Sequence, residues 1–247
     1  MVGTQTKFIS FAKLSKLTGA ETIVTVALVC NDLAIANASM GRYKQIEKPS
    51  LSYIRIGGMR YFSRLICGHL HEGMKAIKGV RQDQRLLNFV GQCSKQAQDA
   101  FAALCECLRG GREEHNFKKY GGRIRNGVAF HYDPSDLRWA LEGRSKWSTA
   151  ETSSLTGGSD IHTTRFEFAD DLLDSIVCRK LWEIPRRVDV IAEADRIGNW
   201  CNTKCVEYLR FGEHFVPRFL LDHNITVLEV ILHTSFEQAV FHLKDLY

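Results

Sequence analysis

Apolar residues recur at helical spacing over most of the first half of the chain. Residues 21–37 show the clearest pattern, with apolar side chains repeating at i, i+3 and i+4. A longer run of the same kind follows Ser50, and a third covers about residues 81–108 before the glycine pair 110–111, which ends helices readily. A fourth run spans about residues 114–130. The pattern predicts a helical bundle in this half of the chain.

A capped helix and a polar loop follow the fourth run. Asp133 with Pro134 is typical of a helix N-cap followed by the first helical turn, and this helix is predicted to end near Leu141. Residues 145–164 are rich in Ser, Thr and Gly and have little apolar periodicity, so they are predicted to form a loop.

Helical spacing returns after the loop. It covers residues 166–182 and 188–211, and Gly212 is expected to end the second of these helices. Residues 226–232 fit either a strand or a helix. The sequence therefore predicts an all-α fold class with three parts: a helical bundle over 1–145, a loop over 146–164, and a C-terminal helical extension over 165–247 that packs on the bundle.

Composition excludes several classes of protein. Of the 247 residues, 45% are hydrophobic and only 4 are proline, which excludes collagen-like and Pro-rich chains. The most apolar stretch, residues 22–30, is far shorter than the roughly 20 residues that a membrane span needs. Residues 1–7 lack the basic and apolar regions of a signal peptide. These features predict a cytoplasmic protein without a membrane partner.

Eight cysteines are scattered through a chain that shows no export signal, so reduced thiols are expected. Cys67, His69 and His71 alternate in a way that could suit a metal, but zinc sites usually need a second cluster of ligands at fixed spacing. The chain has no such second cluster. No metal and no cofactor are therefore expected.

Charge is divided unevenly between the two halves. Residues 1–131 contain 20 Lys or Arg and 9 Asp or Glu, whereas residues 132–247 contain 13 and 19. The first half therefore has a net charge of +11 and the second half −6. This asymmetry fits a first half that binds a polyanion, and it equally fits two complementary faces that pack on each other.

The segment 120–134 contains an Arg-Asn-x4-His motif, with Arg125 followed by Asn126 and then by His131. Several Arg–His pairs in the chain have similar spacing, but only Arg125 is followed by Asn. Residues 20–145, with this motif after the third and fourth predicted helices, resemble the HEPN superfamily (higher eukaryotes and prokaryotes nucleotide-binding). The resemblance implies an antiparallel helical bundle.

The resemblance also implies an activity. Many HEPN proteins are metal-independent endoribonucleases of toxin–antitoxin, phage-defence and CRISPR-associated systems, and others bind without cutting. Arg125, His131 and Asn126 would be catalytic, and Tyr132 would be an auxiliary proton donor. An inhibitory protein partner would hold such an enzyme in check. The expected products are a 2′,3′-cyclic phosphate and a 5′-hydroxyl.

Helix geometry bears on how the motif could work. On one continuous helix, six residues turn through about 600°, so Arg125 and His131 would lie about 120° apart and about 9 Å apart along the axis. Either Gly127 breaks the helix, or two protomers complete each other's site. The family uses the second arrangement, which predicts a homodimer whose motif segments meet across a two-fold axis.

Basic residues just before the motif are candidates for RNA binding. Lys118, Lys119 and Arg123 share a segment with Tyr120, a combination suited to phosphate contacts and base stacking on single-stranded RNA. The alternative is a non-catalytic helical module that dimerises and binds RNA, nucleotide or a protein partner. The sequence leaves both functions open.

Overall fold

The computed structural model describes residues 4–124, 133–147, 153–154 and 166–232, and helices dominate these ranges. The predicted all-α fold class is therefore confirmed by the helical content of these ranges. The helices are α1 (Phe11–Leu14), α2 (Ala20–Lys44), α3 (Ser52–Gln82), α4 (Gln84–Val90), α5 (Lys95–Cys105), α6 (Glu114–Phe117), α7 (Pro134–Trp147), α8 (Glu167–Ser175) and α9 (Val190–Asp222). Two π-helical segments, Lys118–Gly122 and Ile176–Leu181, directly continue α6 and α8.

Helices α2 and α3 form a long antiparallel hairpin. Thr22 lies against Gly79 near one end, and Met40 lies beside Ser63 near the other. One face of α2 is fully apolar and packs on α3 and α9. The buried residues of that face recur at spacings of three and four, as an amphipathic helix requires: Ile23, Val26, Val29, Leu33 and Ala36.

Helix α9 completes the core of this bundle. Its aromatic residues Tyr208, Phe211 and Phe215 are fully buried against side chains of α2, α3, α4 and α5. The boundary predicted at 145–165 therefore does not separate two hydrophobic cores, because the second part of the chain supplies the centre of the first core.

The helix expected to end at Gly212 continues to Asp222. Gly212 is used for close packing rather than for termination, since a Cβ at this position would overlap the sulfur of Cys30 on α2. Gly73 plays the same role on α3, where a Cβ would lie 2.6 Å from the ring of Tyr208. Small residues at these two positions allow the three long helices to approach one another.

The predicted run 81–108 is divided into two helices. Helix α4 ends at Val90, and Ser94 caps α5 by accepting a hydrogen bond from the backbone N–H of Ala97 at 3.3 Å. The run is apolar on both sides of the break, so periodicity alone gives no sign of it.

A two-stranded antiparallel sheet joins the two ends of the described chain. Strand β1 (Thr4–Ile9) pairs with β2 (Thr226–Leu232), with Thr4 opposite Leu232. The segment 226–232, which fitted either a strand or a helix, is therefore a strand. This sheet is the exception to an otherwise helical architecture in the part of the chain that the structure describes.

A second hydrophobic core links the two halves of the chain. It combines Tyr120 and Ile124 from the first half with Leu173, Ile176 and Trp182 from the second. The indole N–H of Trp182 donates to the carbonyl of Tyr120 at 3.3 Å. This core positions the end of the first half, where the sequence motif begins.

Candidate functional site

A cleft of about 1220 Å³ lies between the helical bundle and the elements that follow it. Helices α2 and α3 line one side, and α8, its π-helical continuation and the first turns of α9 line the other. Ile124, the last described residue before the segment 125–132, also lines the cleft. The cleft therefore adjoins the point at which the predicted catalytic motif begins.

The lining of the cleft carries more positive than negative charge, with five basic and three acidic side chains. Arg60 on α3 is held by two carboxylates of α8: its Nε lies 2.6 Å from Asp174, and its Nη1 lies 3.2 Å from Asp171. These contacts join the basic first half to the acidic second half. Some of the positive charge of the first half is therefore neutralised by ion pairs with the second half.

Arg64 lies one turn after Arg60 and has no comparable partner. Its side chain is 7% exposed, it lines the cleft, and its buried Nη1 makes no hydrogen bond among the described residues. A buried donor without an acceptor costs roughly 1–3 kcal/mol. An anionic oxygen is the ligand that a guanidinium binds best. Arg64 is therefore the described residue of the cleft best suited to hold a phosphate.

Burial raises the pKa of Asp174 from its usual 3.8 to about 6, and the neighbouring carboxylates of Asp171 and Asp170 add to the rise. The cations of Arg60 and Arg64 oppose it without cancelling it. Between about pH 4 and 6 the folded chain therefore keeps a proton that the unfolded chain releases. Ionised Asp174 therefore destabilises the folded state above about pH 6, and this destabilisation is lost as the pH falls through that window.

Replacing Asp174 with Asn should remove this contribution. We expect the difference in melting temperature between the wild type and Asp174→Asn to change between pH 7 and pH 4.5, with the wild type gaining relative to the variant at the lower pH. Thermal unfolding followed by circular dichroism at both pH values measures this. Parallel pH profiles for the two proteins would contradict the prediction.

The predicted catalytic residues Arg125, Asn126, His131 and Tyr132 lie outside the described residues. Their two flanks are described. On one side Ile124 is buried in the second core, and on the other Asp133 caps α7 by accepting from the backbone N–H of Ser135 at 2.7 Å. The predicted cap is confirmed, and the helix that it starts extends beyond Leu141 to Trp147.

The three predicted RNA-binding residues lie on the π-helical segment and just after it, and each has an acidic partner. Lys118 pairs with Glu114 of the preceding turn. Arg123 pairs with Glu183 at 2.7 Å and also donates to the carbonyl of Leu181, and Lys119 lies 3.9 Å from the same glutamate. The hydrogen bond from Arg123 lowers the pKa of Glu183, so this carboxylate stays charged.

Tyr120 is not available for base stacking. Its side chain is 7% exposed, and its ring packs edge-on against Trp182 and Trp200. Arg196 donates to its hydroxyl at 3.1 Å. The expectation that Tyr120 stacks on RNA is therefore wrong, because the apolar ring is needed in the second core.

The residues considered as metal ligands are divided among different environments. The ring of His69 lies 3.3 Å from Asp32, the ring of His71 stacks on Phe117, and Cys67 is buried in the second core. Among the described residues, no group of three His, Cys, Asp or Glu is close enough to hold a metal ion.

Sequence reasoning missed the charged residues of the cleft. Arg60 and Arg64 are four residues apart on one helix, and Asp171 and Asp174, which pair with Arg60, are three residues apart on another. Repeated charges on one face of a partly apolar helix are a usable signal of a buried polar contact. The sequence could not show that these two faces meet, because they are about a hundred residues apart.

No family model, curated protein or solved structure matches this chain. The class that the structure itself defines is a helical protein whose two halves share two cores and enclose a cleft with a net positive lining.

Proposed function

We propose that the chain is a metal-independent endoribonuclease of the HEPN type that acts on single-stranded RNA as a homodimer. One juxtaposition carries the proposal. The Arg125-Asn126…His131 motif begins directly after Ile124, and Ile124 lines the same cleft as Arg64, whose buried Nη1 makes no hydrogen bond among the described residues. A toxin or a phage-defence effector is the setting that the resemblance to the HEPN superfamily suggests.

The motif supplies the groups that RNA cleavage needs. RNA carries its own nucleophile, the 2′-hydroxyl. His131 would accept the proton of this hydroxyl as its oxygen attacks phosphorus, and the bond to the 5′-oxygen would break as that oxygen takes up a proton. Arg125 would bind the non-bridging oxygens as negative charge builds, while Asn126 orients the phosphate. Tyr132 would serve as an auxiliary donor.

The cleft would bind the strand on either side of the reacting phosphate. Arg64 would contact a neighbouring phosphate, and the indole of Trp139, which also lines the cleft, offers a flat surface for a base. Lys119 and Arg123 lie outside this lining and are paired with Glu183, so they contribute less to binding than their sequence positions indicate.

The direct test is incubation of the purified protein with a mixed-sequence RNA in EDTA, beside a DNA of the same sequence. We expect cleavage of the RNA alone, with 2′,3′-cyclic phosphate and 5′-hydroxyl ends. Intact RNA, or cleavage that needs an added divalent metal, would contradict the proposal. RNA that is bound but uncut would favour the non-catalytic binding module instead.

Binding of RNA should weaken with salt, because phosphate contacts release counterions. Each such contact to a single strand contributes about 0.7 to the slope of log K against log salt concentration. Arg64→Gln should lower this slope by about that amount, and Arg64→Lys, which keeps the charge, should retain it. Fluorescence anisotropy with a labelled single-stranded RNA measures the slope.

The matched control for Arg64 is Arg85→Gln. Arg85 lies on α4, outside the lining of the cleft, and is already paired with Asp83 at 3.2 Å. Its replacement should leave the slope unchanged. An equal loss in the Arg64 and Arg85 variants would show that RNA binds through general surface charge rather than in the cleft.

A further inference from the structure

The outer face of α2 carries large apolar side chains that the described part of the chain leaves uncovered. Val24, Leu28 and Ile35 are 40%, 57% and 66% exposed, although the opposite face of the same helix is fully buried. Among the described residues, α2 is the one helix long and apolar enough to span a membrane, and only 28% of its most apolar window is buried. Exposed large apolar side chains in a row mark a contact surface.

The exposed residues of α2 follow a seven-residue repeat. Glu21, Leu28, Ile35 and Arg42 are spaced by seven, and all four are exposed. Asn31 and Asp32 are also exposed and lie midway between Leu28 and Ile35. This spacing places the residues along one stripe that can pack against a second helix with the same repeat.

We propose that this stripe is a homodimer interface in which two copies of α2 pack antiparallel about a two-fold axis between Asn31 and Asp32. In that register Leu28 faces the partner's Ile35, and Glu21 faces the partner's Arg42. The amide of Asn31 faces the carboxylate of the partner's Asp32 and can donate to it. Each pair occurs twice, as an isologous interface requires.

The charges select this orientation. Between Glu21 and Arg42 the only charged residue is Asp32, which is also paired with His69 of its own chain. A parallel pair would place Glu21 beside Glu21 and Arg42 beside Arg42. In the antiparallel pair, each Glu21 instead lies beside the partner's Arg42, so both contacts are attractive. A second copy of the chain is therefore the partner whose charges complement this surface.

The dimensions predict a modest affinity. The stripe from Glu21 to Arg42 is about 32 Å long at 1.5 Å per residue. A helix-to-helix contact of that length buries on the order of 1000 Å² in total, which is at the low end for a specific interface. The dimer should therefore be reversible, with a dissociation constant in about the micromolar range.

The proposed ribonuclease is itself a homodimer, and this inference places the two-fold axis on α2 instead of at the motif segments, using no residue of the motif or of the cleft's charged lining. RNA cleavage in EDTA tests the activity separately from the oligomeric state. Its test is sedimentation equilibrium of the wild type over about 1 to 100 µM, where a monomer–dimer transition is expected. Leu28→Glu places two carboxylates against apolar side chains and should weaken the dimer by about 100-fold or more. A wild type that remains monomeric, or a Leu28→Glu variant that dimerises as the wild type does, would overturn the proposal.

A charge exchange provides the matched control. Glu21→Arg and Arg42→Glu should each weaken the dimer by about 2- to 10-fold, and the double variant should restore it. Because these residues are exposed, the variants keep the core intact. Failure of the double variant to recover would overturn the antiparallel register.

Cross-linking checks the same register. A mixture of Leu28→Cys and Ile35→Cys chains should form an inter-chain disulfide, whereas Leu28→Cys alone should not, because its own copy lies about 10 Å away along the axis. Binding of the wild type to lipid vesicles, abolished by Leu28→Glu without any change in oligomeric state, would identify a membrane as the occupant and overturn the proposal.

Discussion

Replacing His131 with alanine should lower the rate of RNA cleavage by about 10²–10⁴-fold, since this is the usual contribution of a general acid–base group. Replacing Arg125 with alanine should cost a similar factor, because the developing charge on the phosphate loses its bidentate partner. Single-turnover cleavage of a labelled RNA in EDTA measures both rates. Circular dichroism should show that each variant remains helical.

The chain contains its own control for this prediction. Arg109 and His115 have the same spacing as Arg125 and His131, but Arg109 is not followed by Asn, and both residues are exposed. Arg109→Ala and His115→Ala should therefore cut RNA at the wild-type rate. If the cleavage rate falls equally in both sets of variants, or stays at the wild-type value in all of them, the motif takes no part in catalysis.

Replacing Phe215 with alanine should destabilise the fold by about 3–5 kcal/mol. Its side chain is fully buried, its ring stacks on Phe211 with centroids 4.6 Å apart, and it meets the ring of Phe89 edge-on. The loss combines the transfer of an aromatic ring with a cavity between α4 and α9. Chemical denaturation at constant pH gives the change in the free energy of unfolding.

Leu221→Ala on the same helix is the comparison. Leu221 is 45% exposed, so its truncation should change the stability by much less, within about 1 kcal/mol. Similar losses at the two positions would mean that α9 does not hold the centre of the core. A changed denaturant slope would indicate an altered unfolded or native state rather than a simple loss of packing.

The sequence predicted the long helices well, because their apolar periodicity is strong. It placed the capping residue Asp133 correctly, since an N-cap depends on neighbours in the sequence alone. It failed at Gly212, where a local rule for helix ends competed with a contact to Cys30, about 180 residues away in the chain. Long-range packing of that kind leaves no periodic signal.

The candidate site was predicted from its motif rather than from its surroundings. The positive charge of Lys119 and Arg123 predicts RNA binding. In the structure, however, both side chains form ion pairs with the same residue, Glu183. The pairing depends on a backbone turn in which Glu183 adopts a φ of 55°, a region that few non-glycine residues adopt. The spacing of Arg60 and Arg64 shows only that the two share a helix face, so the sequence could not predict that the Nη1 of Arg64 is buried without a hydrogen bond.

The late position of α9 has a consequence for synthesis on the ribosome. The core of α2, α3, α4 and α5 lacks its central aromatic side chains until residues 208–219 have been made. A nascent chain that has only the first half, with the motif included, therefore cannot close around its core. Closure of this core during synthesis is therefore expected only after α9 has left the ribosome, when nearly all of the described chain has been made.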